Sequence, residues 1–316
     1  MEKTKSYPQP RLLLGTAALA LAGSFALSVP AHASELWNPY LRGVDEGLAA
    51  GATPPPGVYG VLDNYWTDTT VKDNSGKNIP GATANILVEV PIVLWVPGIK
   101  ILGASYSLGI AQPFDYTSAP GVSGHIGSGN WGTFNTVLIP GQLAWTLPYD
   151  YFVKTGLELY LPDASSTMPD LLNGKLNNGG LPSGNGYFAV QQDLGLSWLS
   201  DGWNISADMH LAEPVTADKT TGYNYMSGDQ FSVDYTLAKT IGAWTFGVGA
   251  HQMNQITADT LNGVRLTNHM EESYGAGPMV GYQFGGINIL ASWDQNIYTK
   301  NDVAGTIVNV RLITKF

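Results

Sequence analysis

The sequence predicts an all-β chain: a transmembrane antiparallel β-barrel of about 12 strands, preceded by a short N-terminal periplasmic or plug segment. Three observations predict it. The chain of 316 residues is poor in charge (13%) and rich in aromatics (11%), with 38 glycines, whereas soluble domains carry about 25% charged residues. Apolar and polar residues alternate one by one over many segments, which is the period of a strand with two different faces. The connections between those segments alternate between short turns and long polar loops, the organisation of an outer-membrane barrel.

The chain begins with a leader. Lys3, Lys5 and Arg11 form a basic start, an apolar run follows from Leu12 to about Leu27, and Ala31-His32-Ala33 places small residues before Ser34. That pattern is a secretory signal peptide over 1–33, cleaved near Ala33. The apolar run is shorter than the roughly 20 residues a spanning helix needs. Cleavage removes three basic residues and one acidic residue, so 12 basic and 24 acidic residues remain and the formal charge falls from −10 to −12. Such a balance excludes a nucleic-acid partner, which requires a basic face. Cysteine is absent, so there is no disulfide framework and no thiolate chemistry.

Residues 34–57 read as an N-terminal extension or partial plug. Asn38 to Ala52 could form a short amphipathic helix, ended by Pro54-Pro55-Pro56-Gly57. The barrel itself is expected over 58–316, with strands near 58–67, 84–96, 99–111, 131–147, 152–162, 185–199, 202–213, 227–240, 243–255, 271–284, 287–297 and 304–316. Alternation is cleanest in the second half. Trp203, Ile205, Ala207, Met209 and Leu211 face one way, and Asn204, Ser206, Asp208, His210 and Ala212 the other. Val308, Val310, Leu312, Thr314 and Phe316 likewise oppose Asn309, Arg311, Ile313 and Lys315. Residues 131–147 are long for one strand, and Pro140-Gly141 marks a bulge within them.

Short connections are expected at Pro97-Gly98, 148–151, 200–202, Ile241-Gly242 and Gly285-Gly286. Long ones are expected at 68–83, 112–130, 163–184, 214–226 and 256–270, with a shorter one at 298–303. An even strand number puts both termini at the short-turn end, which is periplasmic. Tyr65, Trp66, Trp95, Tyr151, Phe152, Trp198, Trp203, Trp244, Trp293 and Tyr298 fall near strand ends, where aromatic girdles are expected.

Several segments resemble an outer-membrane protein family linked to the phenol meta-cleavage degradation pathway. They are Pro54-Pro55-Pro56-Gly57-Val58-Tyr59, Gln255-Ile256-Thr257-Ala258-Asp259 with Gly263, Gly277-Pro278-Met279-Val280-Gly281-Tyr282, and Asn301 to Gly305 before the last strand. The order is kept over nearly the whole mature chain. Two departures are the Ala258 that precedes Asp259, where the family carries consecutive acids, and Asp302-Val303, where its hairpin often has Arg. The resemblance implies a transporter for aromatic or other hydrophobic compounds, and the terminal Phe316 resembles the signature read by barrel-assembly machinery.

The inward faces collect Lys154, Glu158, Asp193, Asp208, His210, Asp234, His251, Asp294, Arg311 and Lys315. These are the lumen and selectivity candidates. A mixed-sign lining braces a barrel wall and also sets the selectivity of a narrow path. Catalysis is not expected, because no Ser stands beside a His at the lipid-facing rim and Asp208 with His210 is only an i, i+2 pair. No His/carboxylate spacing predicts a metal, and no cofactor is expected. The barrel pattern predicts a monomeric outer-membrane channel or transporter surrounded by lipid, and the family resemblance implies that it carries small hydrophobic, aromatic compounds. The alternatives are a general small-solute porin and a non-transport surface barrel, adhesive or lipolytic.

Overall fold

In the computed structural model, the described residues are 37–118, 130–173, 181–220 and 222–316. The expected leader over 1–33 and its cleavage site lie outside them. Twelve strands form the wall: β1 Gly57–Lys72, β2 Asn78–Val96, β3 Ala104–Ala111, β4 Val137–Thr146, β5 Tyr151–Tyr160 and β6 Ala189–Ser200. The second half is β7 Trp203–Pro214, β8 Gln230–Ile241, β9 Trp244–Gln255, β10 Glu272–Phe284, β11 Ile287–Lys300 and β12 Val303–Lys315. Each strand pairs antiparallel with the next. Closure comes from β12 against β1, in register from Tyr59 opposite Lys315 to Val71 opposite Val303. Closure leaves no unpaired edge, the condition for backbone to cross lipid.

Alternation decides which residues face lipid. On β7, Asp208 and His210 are buried inside while Trp203 and Ile205 are exposed outside. Leu237, Phe246, Val248 and Val280 continue the outer apolar face. Aromatics form two bands. Trp95, Tyr151, Trp203 and Trp244 are exposed at the short-turn ends of their strands. Toward the long-loop ends Tyr116, Trp131 and Tyr298 are exposed, the Tyr116 and Trp131 rings lying 5.5 Å apart. These are the two interfacial girdles of a membrane barrel.

Four expectations need correction. First, residues 68–83 are mostly strand. The hairpin between β1 and β2 turns only at 73–77, where Asp73 Oδ1 accepts from Ser75 N at 2.8 Å and Lys77 N at 3.0 Å. A bond from Ser75 Oγ (2.8 Å) foremost, with those two, holds the Asp73 carboxyl below its ordinary range. Second, 99–111 is interrupted. Lys100–Ile101 folds back on Ala104 through Leu102 (φ 51°) and Gly103 (φ 81°), and β3 starts only at Ala104. Third, the wall continues past Ala111 as Phe114–Ser118, and the strand read at 131–147 is split into Asn130–Thr133 and β4. The bulge at Pro140-Gly141 is present as a register shift between Leu138 and Gly141. Fourth, Asn38–Ala52 forms no helix. Its amides bond three residues back, Val44 N to Leu41 O at 3.1 Å and Leu48 N to Asp45 O at 3.1 Å, in a string of turns. Positive φ at Gly43 (76°) and Gly47 (85°) breaks helical propagation.

At the long-loop end, Asp218–Thr220, Tyr223–Met226, Thr260–Leu261 and Val264–Arg265 build a small four-stranded sheet from two loops. The loop after β5 carries a short helix, Met168–Leu172.

Candidate functional site

Residues 37–52 lie inside the barrel, and inward side chains hold them there. Asp234 is central. Its carboxylate accepts from Gly43 N (2.9 Å), Asp45 N (2.9 Å) and the Tyr40 hydroxyl (2.6 Å). The pairing sets Asp208 directly opposite Asp234 across β7 and β8, and two like charges so placed repel. The three donors and Lys154, whose Nζ lies 3.8 Å from Asp208, offset that repulsion. Lys154 reaches Asp208 over Gly195, which is the cross-strand neighbour of both. A Cβ on Gly195 would lie 2.1 Å from Ala50 O, so the absent side chain also admits the N-terminal segment.

Further bonds repeat the pattern. Gly47 N donates to Thr236 Oγ1 at 2.7 Å, Gly51 N to Ser197 Oγ at 2.7 Å, and Asn204 Nδ2 to Leu48 O at 3.0 Å. Arg42 forms a bidentate pair with Asp302 in the turn before β12, one arm at 3.1 Å. Burial pulls the Arg42 guanidinium down, but the Asp302 carboxylate outweighs it and holds the group above its ordinary value. Burial first, then the charges of Asp234 and Asp45, keep the Tyr40 hydroxyl well above its ordinary range. Tyr40 is therefore a neutral donor. Its ring stacks on His210 with centroids 3.9 Å apart and planes 22° apart.

The other inward candidates complete the lining. His210 Nδ1 is 2.8 Å from Asp193 Oδ1, and its Nε2 is 3.8 Å from Asp45. Glu158 accepts from Tyr160 (3.0 Å) and Gln191 (3.2 Å). Arg311 Nε donates to Asp63 at 2.8 Å, and Arg311 also faces Asp45 at 3.7 Å. His251 Nδ1 lies 3.2 Å from Glu46, and Asp294 is fully buried. Lys315 departs from the set. It has the right parity, but it sits exposed at the rim, donates to Pro56 O at 2.8 Å and lies over the Tyr59 ring at 5.8 Å.

Sequence reasoning missed Tyr40, Arg42, Asp45 and Glu46, because nothing local shows that 37–52 enters the barrel. It also missed Asp63, whose place opposite Arg311 follows only from β12–β1 closure. No metal-ligand spacing is visible in the chain. Even so, the fold gathers Glu46, His251 and Asp294 with ligand atoms within 4.8 Å of one another. Asp45, Asp208 and His210 form a second such group, though Lys154 and Arg311 face it.

Toward the long-loop end the lining changes to apolar and aromatic. Trp37, Tyr65, Ile86, Val88, Phe134, Tyr187 and Ile307 are buried together, and the Trp37 and Phe134 rings meet edge-on at 4.9 Å. A cavity of about 50 Å³ lies here, between Trp37, Tyr40, Leu41 and Arg42 on one side and Tyr65, Ile86, Asp302 and Ile307 on the other. Trp37 Nε1 donates to Pro182 O (2.5 Å) and Asn185 Nδ2 to Trp37 O (2.8 Å), so the loop after β5 covers this region.

A closed twelve-strand wall with a lipid-facing apolar belt, two girdles and a polar, segment-filled lumen defines an outer-membrane β-barrel. The chain belongs to the family described as "Putative MetA-pathway of phenol degradation", whose profile matches residues 67–312. No curated protein sequence matches it. Among solved structures, an outer membrane channel from Pseudomonas putida F1 superposes with a TM-score of 0.72 at 12% identity, over 84% of this chain and 98% of that one. The β domain of the Bordetella autotransporter BrkA gives 0.46 at 10% identity, over 82% and 100%. The TodX monoaromatic hydrocarbon channel gives 0.42 at 11%, over 83% and 91%. The last two scores are too low to support any argument.

The segments that carry the family resemblance have structural work. Asp259 Oδ1 accepts from Gly228 N at 2.8 Å and from the Gln255 side chain, tying two loops together. A Cβ on Gly277 would lie 1.7 Å from Trp293 O, and one on Gly305 would lie 1.7 Å from Asp68 O. Asp302, which stands where the family hairpin often has Arg, is the partner of Arg42.

Proposed function

We propose that this chain is an outer-membrane channel for small hydrophobic, aromatic compounds, closed at rest by residues 37–52. The carrying observation is the apolar-aromatic stretch inside the lumen, Trp37, Tyr65, Ile86, Phe134 and Ile307. Porin lumens are polar and wet, and an apolar lining favours an apolar passenger. The 50 Å³ cavity is well below the roughly 150 Å³ that an engineered apolar cavity offers benzene. An aromatic ring therefore passes only when the N-terminal segment shifts, and Asp234 is the latch that holds it.

The test is uptake by a strain lacking the gene, complemented with wild type or with Asp234→Ala. The expected result is slower entry of phenol- or benzoate-class compounds without the gene, and restored or faster entry with Asp234→Ala. Equal uptake across all three strains would sink the proposal. The mixed-sign ring of Lys154, Asp208, His210 and Arg311 favours a second reading, a general small-solute pore. In planar bilayers, stable ohmic openings of the wild type that ignore aromatic compounds would favour it.

The leader is cut after Ala33, the short-turn end faces the periplasm, and barrel-assembly machinery engages Phe316. The barrel works as a monomer and its lumen groups serve passage, not catalysis.

A further inference from the structure

Glu46, His251 and Asp294 come from three separated segments, the N-terminal insert, β9 and β11, and meet inside the wall. Glu46 and His251 are each 2% exposed and Asp294 is fully buried. Buried polar atoms nearly always have partners. Here Glu46 Oε2, His251 Nε2 and both carboxylate oxygens of Asp294 take no hydrogen bond from the rest of the described chain, and the Glu46 and Asp294 carboxyls have only each other.

The charge count is equally unusual. Burying a carboxylate without a counter-charge is costly. Among the described residues, Asp294 makes no ion pair and Glu46 pairs only with His251. The nearby cations are committed elsewhere. Arg42 is bound to Asp302, and Arg311 is bound to Asp63, giving Glu46 only its backbone carbonyl a donor at 3.2 Å.

The wall is also hollowed to fit two of these side chains, Glu46 and His251. A Cβ on Gly249 would lie 1.7 Å from Glu46 Oε2, and one on Gly275 would lie 2.5 Å from His251 Nε2. Gly275 lies on β10, between the strands that carry His251 and Asp294. Its missing side chain gives the imidazole room.

We propose that Glu46, His251 and Asp294 bind a divalent first-row transition ion that pins the N-terminal segment to the barrel wall. One imidazole nitrogen with two carboxylates suits Zn²⁺, Mn²⁺ or Fe²⁺. It does not suit Ca²⁺, which takes 6–8 oxygen ligands. Three protein ligands leave a coordination position for water. The ion supplies the positive charge that the two carboxylates lack, and one of its three ligands belongs to the movable element. The proposal is independent of what the channel carries.

The test uses the untagged full chain, extracted in detergent, stripped with a chelator and checked for folding by heat-modifiable gel migration. Calorimetric titration with Zn²⁺ should show about one ion per chain, and Ca²⁺ should give no heat. Co²⁺ should give ligand-field absorption that Zn²⁺ abolishes. Asp294→Asn and His251→Gln should weaken Zn²⁺ binding on the order of 100-fold, the upper effect of disturbing even a supporting group at a metal site. Gly249→Ala should weaken binding by displacing the Glu46 carboxylate, although all three ligand residues are kept.

The proposal is overturned if the folded wild type takes up no Zn²⁺, which would mean that Glu46 and Asp294 share a proton instead. It is also overturned if the folded variants bind as the wild type does. Should a variant fail to fold, the Zn²⁺ stoichiometry and the Co²⁺ spectrum of the wild type still decide.

Discussion

Arg311 shows how much rests on single side chains in this lumen. It is 1% exposed and donates from Nε to Asp63, while its Nη1 reaches Glu46 O. Arg311→Ala would leave Asp63 as an uncompensated buried carboxylate, at a cost of about 3–5 kcal/mol. The expected outcome is a clear drop in the midpoint of heat or urea unfolding in detergent. Replacing both partners, Arg311→Met with Asp63→Leu, should recover most of the loss, because apolar groups of similar volume substitute well for a buried pair. Asp234→Asn should act differently. It keeps an oxygen acceptor but loses the charge that strengthens three hydrogen bonds, so the barrel should stay folded while the N-terminal segment loosens. Single-channel recordings should show more frequent openings than in the wild type.

At the level of strands and turns, the wall was largely legible in the sequence and the inward loops were not. Period-two alternation placed Asp193, Asp208, His210, Asp234, His251, Asp294 and Arg311 on the inner face, because parity alone fixes which side a strand residue points to. Parity carries no information about height, and so Lys315 was grouped with residues from which it is distant. Asn38–Ala52 misled for a different reason. Its apolar spacing suits a helix, but Gly43 and Gly47 take positive φ, and the turns they make present successive amides to Asp234 and Thr236. Strand contact predicts its own mutants. Gly277→Val forces a branched side chain toward Trp293 O, a backbone atom that cannot yield; folded barrel should be lost from heat-modifiable gels. Leu237→Arg on the lipid face should destabilise the barrel, by less than the ~2–4 kcal/mol of a midplane site because Leu237 lies close to the Trp203 girdle, measured as unfolding in lipid vesicles.

For the molecule as a whole, wall and insert have separable roles. The wall closes through pairing that makes no use of residues 37–52, from β12–β1 around to β11–β12. Deleting 37–52 should therefore leave a barrel that still migrates as folded, with larger and steadier conductance than the wild type. A deletion that abolished folding would mean that the insert is part of the scaffold. The lumen contacts between the insert and the wall were the part hidden from sequence. Tyr40 to Asp234 spans 194 positions and Arg311 to Glu46 spans 265, and no local pattern signals pairs so far apart.

The small cavity beside Trp37 has a consequence for the cell that makes this protein. At about 50 Å³ it holds a water or two, each taking roughly 30 Å³ in the liquid. With the insert seated as proposed, abundant copies would add little leak to the outer membrane. Traffic would be set by how often the insert moves aside, a per-molecule turnover that saturates as the outside concentration rises. Cells overproducing the wild type should keep their resistance to small polar antibiotics, while those producing the 37–52 deletion should lose it.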